Sequence, residues 1–345
     1  MKATPMRQQQ PSPSTRQAGL SLVELMISLT IGLFLLLGIS TLIVQQSSTR
    51  GEMEKSSRQI ENGRYAMQIL HNDIQHAGLY GEYSPPNNGT IYTTPNECVA
   101  DGTGWDSAAI GAPRVPVAIF GYAGAAAVPS ACAALTNYQP NTAILVVRRT
   151  TTASIAATAA VPGTTYIQTS RCSADAVPFQ VAGYTLQLKD CPAVATRAPL
   201  YRYLVNIYYI SQCSMPTGAG GTCAATDDNS NWIPTLMLVQ NGAAATPLVE
   251  GIENMQFDYG VDAGTNGSPD GYTTATAVTA AVNWANVMAV RVNLLARNND
   301  RTTGYQDTKR YNMGLAGLTV ATNDRFKRHA YSQLVRVINH SGRRE

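Results

Sequence analysis

The strongest apolar pattern in the chain is one uninterrupted stretch near its beginning. Residues 20–44 read LSLVELMISLTIGLFLLLGISTLIV, which is 25 residues with a single charge, Glu24. As a helix rising ~1.5 Å per residue, this stretch is about 37 Å long, enough to cross a hydrocarbon layer of about 30 Å. A secretory signal has a shorter apolar run, of about 7–15 residues, followed by a small-x-small cleavage site. No such site is present here, so the pattern predicts a transmembrane helix over residues 20–45.

A second helical pattern comes directly after the first. Residues 45–77 contain no proline, and apolar side chains recur every seventh position at Met53, Ile60, Met67 and Ile74. This spacing places them along one stripe of a helix. The pattern predicts an extended amphipathic helix over residues 46–78 whose stripe packs on the protein's own head. A coiled-coil seam with a partner is the alternative, but it is disfavoured because the heptads are few.

The remaining residues, 79–345, change to alternating patterns that are typical of strands. Apolar and β-branched runs, or strict alternation, are separated by Gly, Pro, Asn and Asp, which favours an antiparallel sheet. The predicted strands are Ala143–Val147, Tyr201–Ile210, Thr235–Val239, Met255–Tyr259, Val290–Leu294 and Tyr331–Ile338. Three Ala-, Gly- and Thr-rich stretches, residues 121–134, 150–165 and 271–281, are predicted to be loops or insertions. The fold class is therefore α+β, with a long N-terminal helix packed on a β-rich head.

The first 19 residues account for the whole net charge of the chain. They contain Lys2, Arg7 and Arg16 and no acidic residue, so the rest of the chain has 22 basic and 22 acidic residues. Positive charge before a membrane helix keeps the N-terminus in the cytoplasm and exports the chain beyond the helix. The overall net charge of +3 excludes a strongly basic nucleic-acid-binding domain as the default interpretation. A basic cluster near the C-terminus could touch DNA, but a solvated strand edge or tail is favoured (Arg325, Lys327, Arg328, His329, Arg343 and Arg344).

Six cysteines lie in the exported part: Cys98, Cys132, Cys172, Cys191, Cys213 and Cys223. An even number confined to an exported region indicates disulfides, and six cysteines allow 15 pairings. The simplest pairing joins sequence neighbours, Cys98–Cys132, Cys172–Cys191 and Cys213–Cys223. A zinc site is disfavoured because the sequence has no C-x-x-C pair and no histidine between the first and last cysteine.

One loop partly matches a calcium-binding pattern. Asp262, Asn266, Gly267 and Asp270 fall at positions 1, 5, 6 and 9 of an EF-hand loop. Position 12, which normally supplies a bidentate glutamate, is Thr273. A hairpin loop rich in Gly, Asn and Asp is the favoured interpretation.

Signatures of enzymes are missing. The sequence contains no G-x-S-x-G, no H-E-x-x-H, no P-loop and no G-x-G-x-x-G after a strand. We therefore expect no catalysis and no cofactor.

Glu24 is the exception within the transmembrane segment, where a carboxylate is costly. One interpretation is an interfacial acid that the helix dipole stabilises. The other is an ion pair with an α-amine created by cleavage after Gly19. Gly19-Leu20-Ser21-Leu22-Val23-Glu24 resembles the class III signal of type IV prepilins and type II secretion pseudopilins. In that family a membrane peptidase cuts after the glycine and methylates the new N-terminus. The resemblance implies cleavage between Gly19 and Leu20, N-methylation of Leu20 and a role for Glu24 in subunit assembly. The family usually has Phe where this chain has Leu20.

Three further stretches resemble the PilW-like branch of minor pilins and the related J group of minor pseudopilins. They are residues 63–81, residues 248–262, and residues 284–297 with the late strand near 331–338. The resemblance implies a minor pilin in the bacterial inner membrane whose head lies in the periplasm and which then enters the pilus, at its tip. The implied partners are prepilin peptidase, other minor pilins, the major pilin and a tip adhesin. A J-type pseudopilin of a secretion system and an adhesin or DNA-uptake module remain as alternatives.

Overall fold

The computed structural model describes residues 19, 21–86, 89–94, 98, 103–107, 112–189, 191, 196–317, 319–321 and 323–344. Leu20, the predicted methylation site, lies outside the described residues. The chain forms two compact units, one up to Met53 and one from Glu54 onwards. Each unit is described by itself.

Helix α1 runs without interruption from Leu22 to His76 and includes 55 residues. It covers both predicted helical segments, because no proline interrupts the sequence between them. The helix ends where Gly78 adopts a left-handed φ of 75°, which a glycine adopts without steric cost. The Gly78 N–H then donates to the Arg148 carbonyl at 2.9 Å, so the end of α1 is tied to the first sheet of the head.

The other helices are short, and fifteen strands are described. The helices are α2 (Asp227–Ser230), α3 (Ala275–Ala280) and α4 (Ile338–Ser341). The strands are β1 (Ile91–Thr93), β2 (Arg114–Pro116), β3 (Ile119–Tyr122), β4 (Ile144–Ile155), β5 (Tyr166–Thr169), β6 (Phe179–Gln180), β7 (Leu200–Ser211), β8 (Thr235–Gln240), β9 (Thr246–Glu250), β10 (Ile252–Val261), β11 (Gly271–Thr273), β12 (Val287–Arg297), β13 (Arg310–Asn312), β14 (Thr319–Ala321) and β15 (Arg328–Arg336).

Two antiparallel sheets form the head. The first has the order β3-β4-β7-β5-β6, with β8 pairing the later half of β7 and β9 pairing β8. The second has the order β11-β10-β12-β15. Strands β1 and β2 form a parallel pair, and β13 and β14 an antiparallel one. The predicted antiparallel, β-rich head and the α+β class are therefore confirmed.

All six predicted strands are present, and several are longer than predicted. Strand β4 continues to Ile155, into a stretch predicted to be a loop, because Ser154 and Ile155 pair with Tyr201 and Leu200 after a bulge. The loop prediction for residues 271–281 is also wrong, since they contain β11 and α3. These segments consist largely of small residues, so they show no clear apolar pattern. Short strands and short helices of this kind depend on tertiary contacts more than on intrinsic propensity.

The buried face of α1 differs from the predicted stripe. In the second unit it consists of Gln59, Gly63, Ala66, Met67, Leu70, Asp73 and Ile74. Ile60 is 44% exposed and Met53, in the first unit, is 66% exposed. A strict seven-residue row drifts by about 20° per heptad around a straight helix. The contact face therefore includes small and polar residues that the apolar pattern passed over.

Three disulfides close loops of the head. They are Cys98–Cys132, Cys172–Cys191 and Cys213–Cys223, with sequence separations of 34, 19 and 10 residues. This is the pairing of sequence neighbours that the sequence predicts. Each bond restricts the unfolded chain in a region that has few long strands.

Candidate assembly site

The first turn of α1 contains the predicted assembly residue. Glu24 lies in this turn, and its Oε2 accepts the Ser21 N–H at 3.3 Å. A carboxylate at this end of a helix is stabilised by the unpaired N–H groups of the first turn. Gly19 and Glu24 are both exposed in the first unit.

The rest of the first unit is an exposed apolar surface. Every Leu, Ile, Val, Met and Phe side chain from Leu22 to Val44 is more than half exposed. Mean hydropathy reaches 2.4 over 18 residues of this helix, none of them buried. The hydroxyls of Ser28, Thr30 and Thr41 bond to carbonyls one turn earlier, which satisfies them without water. By length and composition this segment suits a hydrocarbon environment.

In the second unit, side-chain amides hold α1 to strand ends of both sheets. Gln59 Nε2 donates to the carbonyls of Ala296 and Lys327 at 2.8 and 2.9 Å. Asn62 Nδ2 donates to the Glu250 carbonyl at 3.1 Å. Directly after Asn62, the ring of Tyr331 lies against Gly63, where a Cβ would overlap it. These contacts fix α1 on the strand ends in one register.

Asp73 holds the helix to the first sheet. Its Oδ2 accepts from Asn206 Nδ2 and from Tyr208 Oη, each at 2.9 Å, and its Oδ1 accepts from Arg149 Nε. Burial raises the pKa of Tyr208 well above its usual value, and the neighbouring Asp73 raises it further. The Tyr208 hydroxyl therefore stays protonated and donates to the carboxylate. The sequence pattern did not predict a role for Asp73, although a carboxylate in line with Ala66 and Leu70 on one helix face is a usable signal.

Half of the basic cluster near the C-terminus is structural, whereas Arg325 and His329 are exposed as a solvated edge would be. Arg328 is fully buried among the carboxylates of Glu253, Asp307 and Asp324. Arg344 Nη1 contacts Asp262 Oδ2 at 3.3 Å. Arg343 Nη2 donates to the Gly78 carbonyl at 3.2 Å, next to the end of α1. These three arginines are engaged within the head, which removes most of the basis for DNA binding by this cluster.

His340 anchors the C-terminal turn. It is buried, its Nε2 bonds to the Ala285 carbonyl, and its ring lies edge-on to Tyr92 at 5.2 Å. Burial, together with the adjacent Arg343 and Arg344, lowers the pKa of His340 to about 4. The imidazole is therefore neutral in the folded protein at neutral pH.

This burial predicts a pH-dependent stability. Between about pH 6.5 and 4 the unfolded chain binds a proton at His340 that the folded chain does not, so stability falls as the pH decreases. The expected loss is about 3 kcal/mol across that window. When denaturant unfolding is measured from pH 7 to pH 4, the free energy of unfolding of His340→Gln should depend less on pH than that of wild type. His71→Gln, at the partly exposed helix surface, is the control. An equal pH dependence for wild type and His340→Gln would contradict the prediction.

The loop with the calcium-like pattern is a hairpin loop between β10 and β11. Asp262 accepts the N–H groups of Asn266 and Gly267, and Asp270 Oδ2 accepts those of Ala263 and Gly264. Burial alone would raise the pKa of Asp262, but these hydrogen bonds and Arg344 lower it below its usual value. The disfavoured alternative, a calcium ion held by Asp262, Asn266 and Asp270, stays untested, and such an ion would compete with these N–H groups. Among the described residues no three His, Cys, Asp or Glu side chains are grouped to hold a metal.

Comparison with protein families gave two matches. Residues 207–339 match the family described as Type IV Pilus-assembly protein W. Residues 14–40 match the prokaryotic N-terminal methylation motif. Comparison with curated proteins and with solved structures gave no match. The first match spans the later half of β7 and all of the second sheet, and the second includes Gly19, Leu20 and Glu24. Together with the exposed apolar helix and the antiparallel head, these two matches support a PilW-like minor pilin of the type IV pilus.

Proposed function

We propose that the protein is a minor pilin that helps to prime type IV pilus assembly and forms part of the complex at the pilus tip. The observation that carries the proposal is the methylation motif placed directly on an exposed apolar helix. Such a helix serves first as a membrane anchor and then as a packing element among the helices of a fibre. The PilW match supports a pilus over a secretion pseudopilus.

The chain first inserts with its N-terminus in the cytoplasm and its head in the periplasm, as the basic leader favours. Prepilin peptidase then cuts after Gly19 and methylates Leu20. The new α-amine bears a positive charge within the apolar environment. Glu24 of an adjoining subunit neutralises it, because a carboxylate and an amine in a low-dielectric medium attract strongly. This pairing aligns neighbouring helices as they leave the lipid.

The head contributes binding surfaces rather than catalysis. Its partners in the proposal are other minor pilins, the major pilin and a tip adhesin. The disulfides suit this location, since they persist in an oxidising compartment. The proposal includes no cofactor and no substrate.

The first test is mass spectrometry of fibres sheared from native cells. We expect a peptide that begins at N-methyl-Leu20. A Gly19→Val variant should accumulate uncut chain, whereas Ala18→Val, one residue earlier, should be processed normally. Finding the cut peptide only in the membrane fraction would favour a secretion pseudopilin, and an uncut N-terminus in both fractions would overturn the proposal.

A second test addresses Glu24. We expect Glu24→Gln to be cut and methylated but to be depleted at least tenfold from fibres, since one unpaired amine per subunit would remain in the helix bundle. Ser28→Ala is the matched control, because its hydroxyl lies one turn away and bonds to the Glu24 carbonyl without carrying charge. Normal incorporation of Glu24→Gln, measured by quantitative mass spectrometry of fibres, would contradict the ion-pair role.

A further inference from the structure

Strand β15 is an exposed edge of the second sheet. It pairs with β12 alone in the described part of the chain, through nine consecutive residue pairs without a register shift. Residues 328–336 contain no proline and no lysine. Natural sheets usually protect their edges with such residues, with bulges or with very short strands, because a bare edge pairs with other chains.

The other described edges of the two main sheets have this protection. Strand β9 contains Pro247 and pairs with β8 through a register shift. Strands β3, β6 and β11 have four, two and three residues. Strand β15 is longer than each of these and has no proline and no register shift, and its two arginines, Arg328 and Arg336, lie only at its ends.

The hydrogen-bond pattern shows which backbone groups of β15 face outward. At one end of the β12–β15 pair the Val337 N–H donates to the Met288 carbonyl, and at the other end the Asn298 N–H donates to the Lys327 carbonyl. The register between these two bonds has no shift. In an antiparallel pair, bonded and non-bonded residue pairs alternate. This alternation turns the backbone of His329, Tyr331, Gln333 and Val335 toward β12. It turns the N–H and C=O groups of the alternate positions outward, including those of Ala330, Ser332 and Leu334.

These three outward-facing residues are exposed, and Leu334 is 52% exposed. No described residue makes a backbone hydrogen bond to them from outside the sheet. Three residues with both groups available form a template for one added strand.

An open groove of about 440 Å³ lies beside this edge. The helix α1 lines it with Arg64, Met67, Gln68 and His71, and β15 lines it with the segment 331–333. Helix and strand run in the same direction, since Gln59 bonds to the Lys327 carbonyl and His71 to Gln333. An added strand at this edge would therefore run alongside α1, next to the side chains that line the groove.

The groove is cationic. Its titratable lining side chains are Arg64, His71 and Tyr331, of which Arg64 carries a permanent positive charge, and no carboxylate lines it among the described residues. Glu61 lies in a neighbouring groove that shares Arg64. Pairing with a second copy would place two such cationic sets side by side, which is unfavourable.

We propose that β15 accepts an extended strand from another pilin head by β-strand addition, with an acidic side chain of that strand facing Arg64. This inference rests on the proposed function, since it names how one of the partner pilins binds. Backbone hydrogen bonds would supply affinity, and the contact with Arg64 would supply selectivity.

The test is residue-resolved hydrogen exchange on the full chain in detergent, alone and in the complex of pilins that co-purifies with it from inner membranes. We expect at least tenfold slower exchange at the amides of Ala330, Ser332 and Leu334 in the complex. The amides of Tyr331 and Gln333, already bonded to β12, should not change. Co-purification of a pilin without protection at the three alternating amides would overturn the proposal, as would protection caused by a second copy of this chain.

Two variants separate backbone pairing from side-chain loss. Ser332→Pro removes an outward N–H and spares the ladder with β12, whereas Ser332→Ala keeps that N–H, and both lose the bond from Ser332 Oγ to Asn293. We expect Ser332→Pro to reduce the co-purified pilin at least tenfold and Ser332→Ala less than twofold. Should Ser332→Pro unfold, Arg64→Glu, with Glu61→Gln as its control, tests the same surface through charge and should also lose at least tenfold. Equal retention of the partner by Arg64→Glu and Glu61→Gln would overturn the role of Arg64.

The N-terminal peptide is measured in the same samples. A Ser332→Pro chain that is cut before Leu20 as in wild type, yet loses its partner, supports the strand surface. An uncut wild-type chain would instead overturn the proposed function on which this inference rests.

Discussion

Replacing Arg328 by alanine should lower the free energy of unfolding by about 3–5 kcal/mol, because it leaves buried carboxylates without their cation. The guanidinium is fully buried and contacts Glu253 at 2.5 Å, Asp307 at 3.1 Å and Asp324 at 2.6 Å. Burial by itself lowers the pKa of Arg328, but hydrogen bonds to Asp324 and Glu253 raise it above its usual value. Asp307 is itself fully buried and cannot be solvated when the arginine is removed.

Denaturant unfolding of the full chain measures this loss as a lower midpoint at unchanged slope. Arg325→Ala is the matched control, since this neighbouring arginine is exposed, and its effect should stay within about 0.5 kcal/mol. Arg328→Lys keeps the charge but not the planar fork that reaches several carboxylates, so its effect should be intermediate. Equal stability of Arg328→Ala and Arg325→Ala would contradict the structural role.

Replacing Asp73 by alanine should destabilise the head by about 2–4 kcal/mol. The substitution removes one carboxylate and leaves Arg149, Asn206 and Tyr208 without their shared acceptor. Two of these partners, Asn206 and Tyr208, are almost completely buried and cannot turn to water. Thermal or denaturant unfolding of the full chain measures the effect.

Asn72→Ala is the control for Asp73, because its side chain is exposed on the adjacent position of the helix. Asp73→Asn keeps one acceptor oxygen and loses the charge, so it should fall between wild type and Asp73→Ala. A loss below about 0.5 kcal/mol for Asp73→Ala would show that the three partners find other acceptors, contrary to the prediction.

The two sites together explain how the head is held on α1. Arg328 closes the segment between β12 and β15, whose Lys327 carbonyl accepts from Gln59 on the helix. Asp73 ties a later part of the same helix to β4 and β7. A helix attached at both points fixes the head around the second part of α1. In the proposed assembly, the lateral surfaces of the head, including the edge of β15, are then presented in one orientation relative to that segment.

Some of the site was readable from sequence because it depends on local chemistry. The signal around Gly19 and Glu24 is contiguous, so no folding is needed to recognise it. The continuity of α1 is explained by the lack of proline, and the main strands are explained by alternation. The pairing of neighbouring cysteines was also expected, because short loops favour contact between their ends.

Other features could not be read in this way. The apolar stripe predicted that Met53 and Ile60 would be buried, whereas Gln59, Gly63 and Asp73 make the contacts. Such positions depend on which side chains of distant strands they meet: Tyr331 requires a glycine opposite its ring, and Asn206 and Tyr208 require an acceptor. The C-terminal arginines were interpreted as solvated for the same reason, since several of their carboxylate partners lie far from them in the sequence.

The sequence by itself therefore determined the long apolar segment, the processing motif, the α+β class and the disulfide-bonded head. These properties arise from composition, periodicity and contiguous motifs, each of which acts over a few turns or strands. Only the tertiary structure decided which face of α1 is buried, which arginines are internal, and that β15 is a bare edge beside a cationic groove. Those properties arise from pairing between residues far apart in the chain, and the free energy that selects them does not exist until the sheets and the helix are packed together.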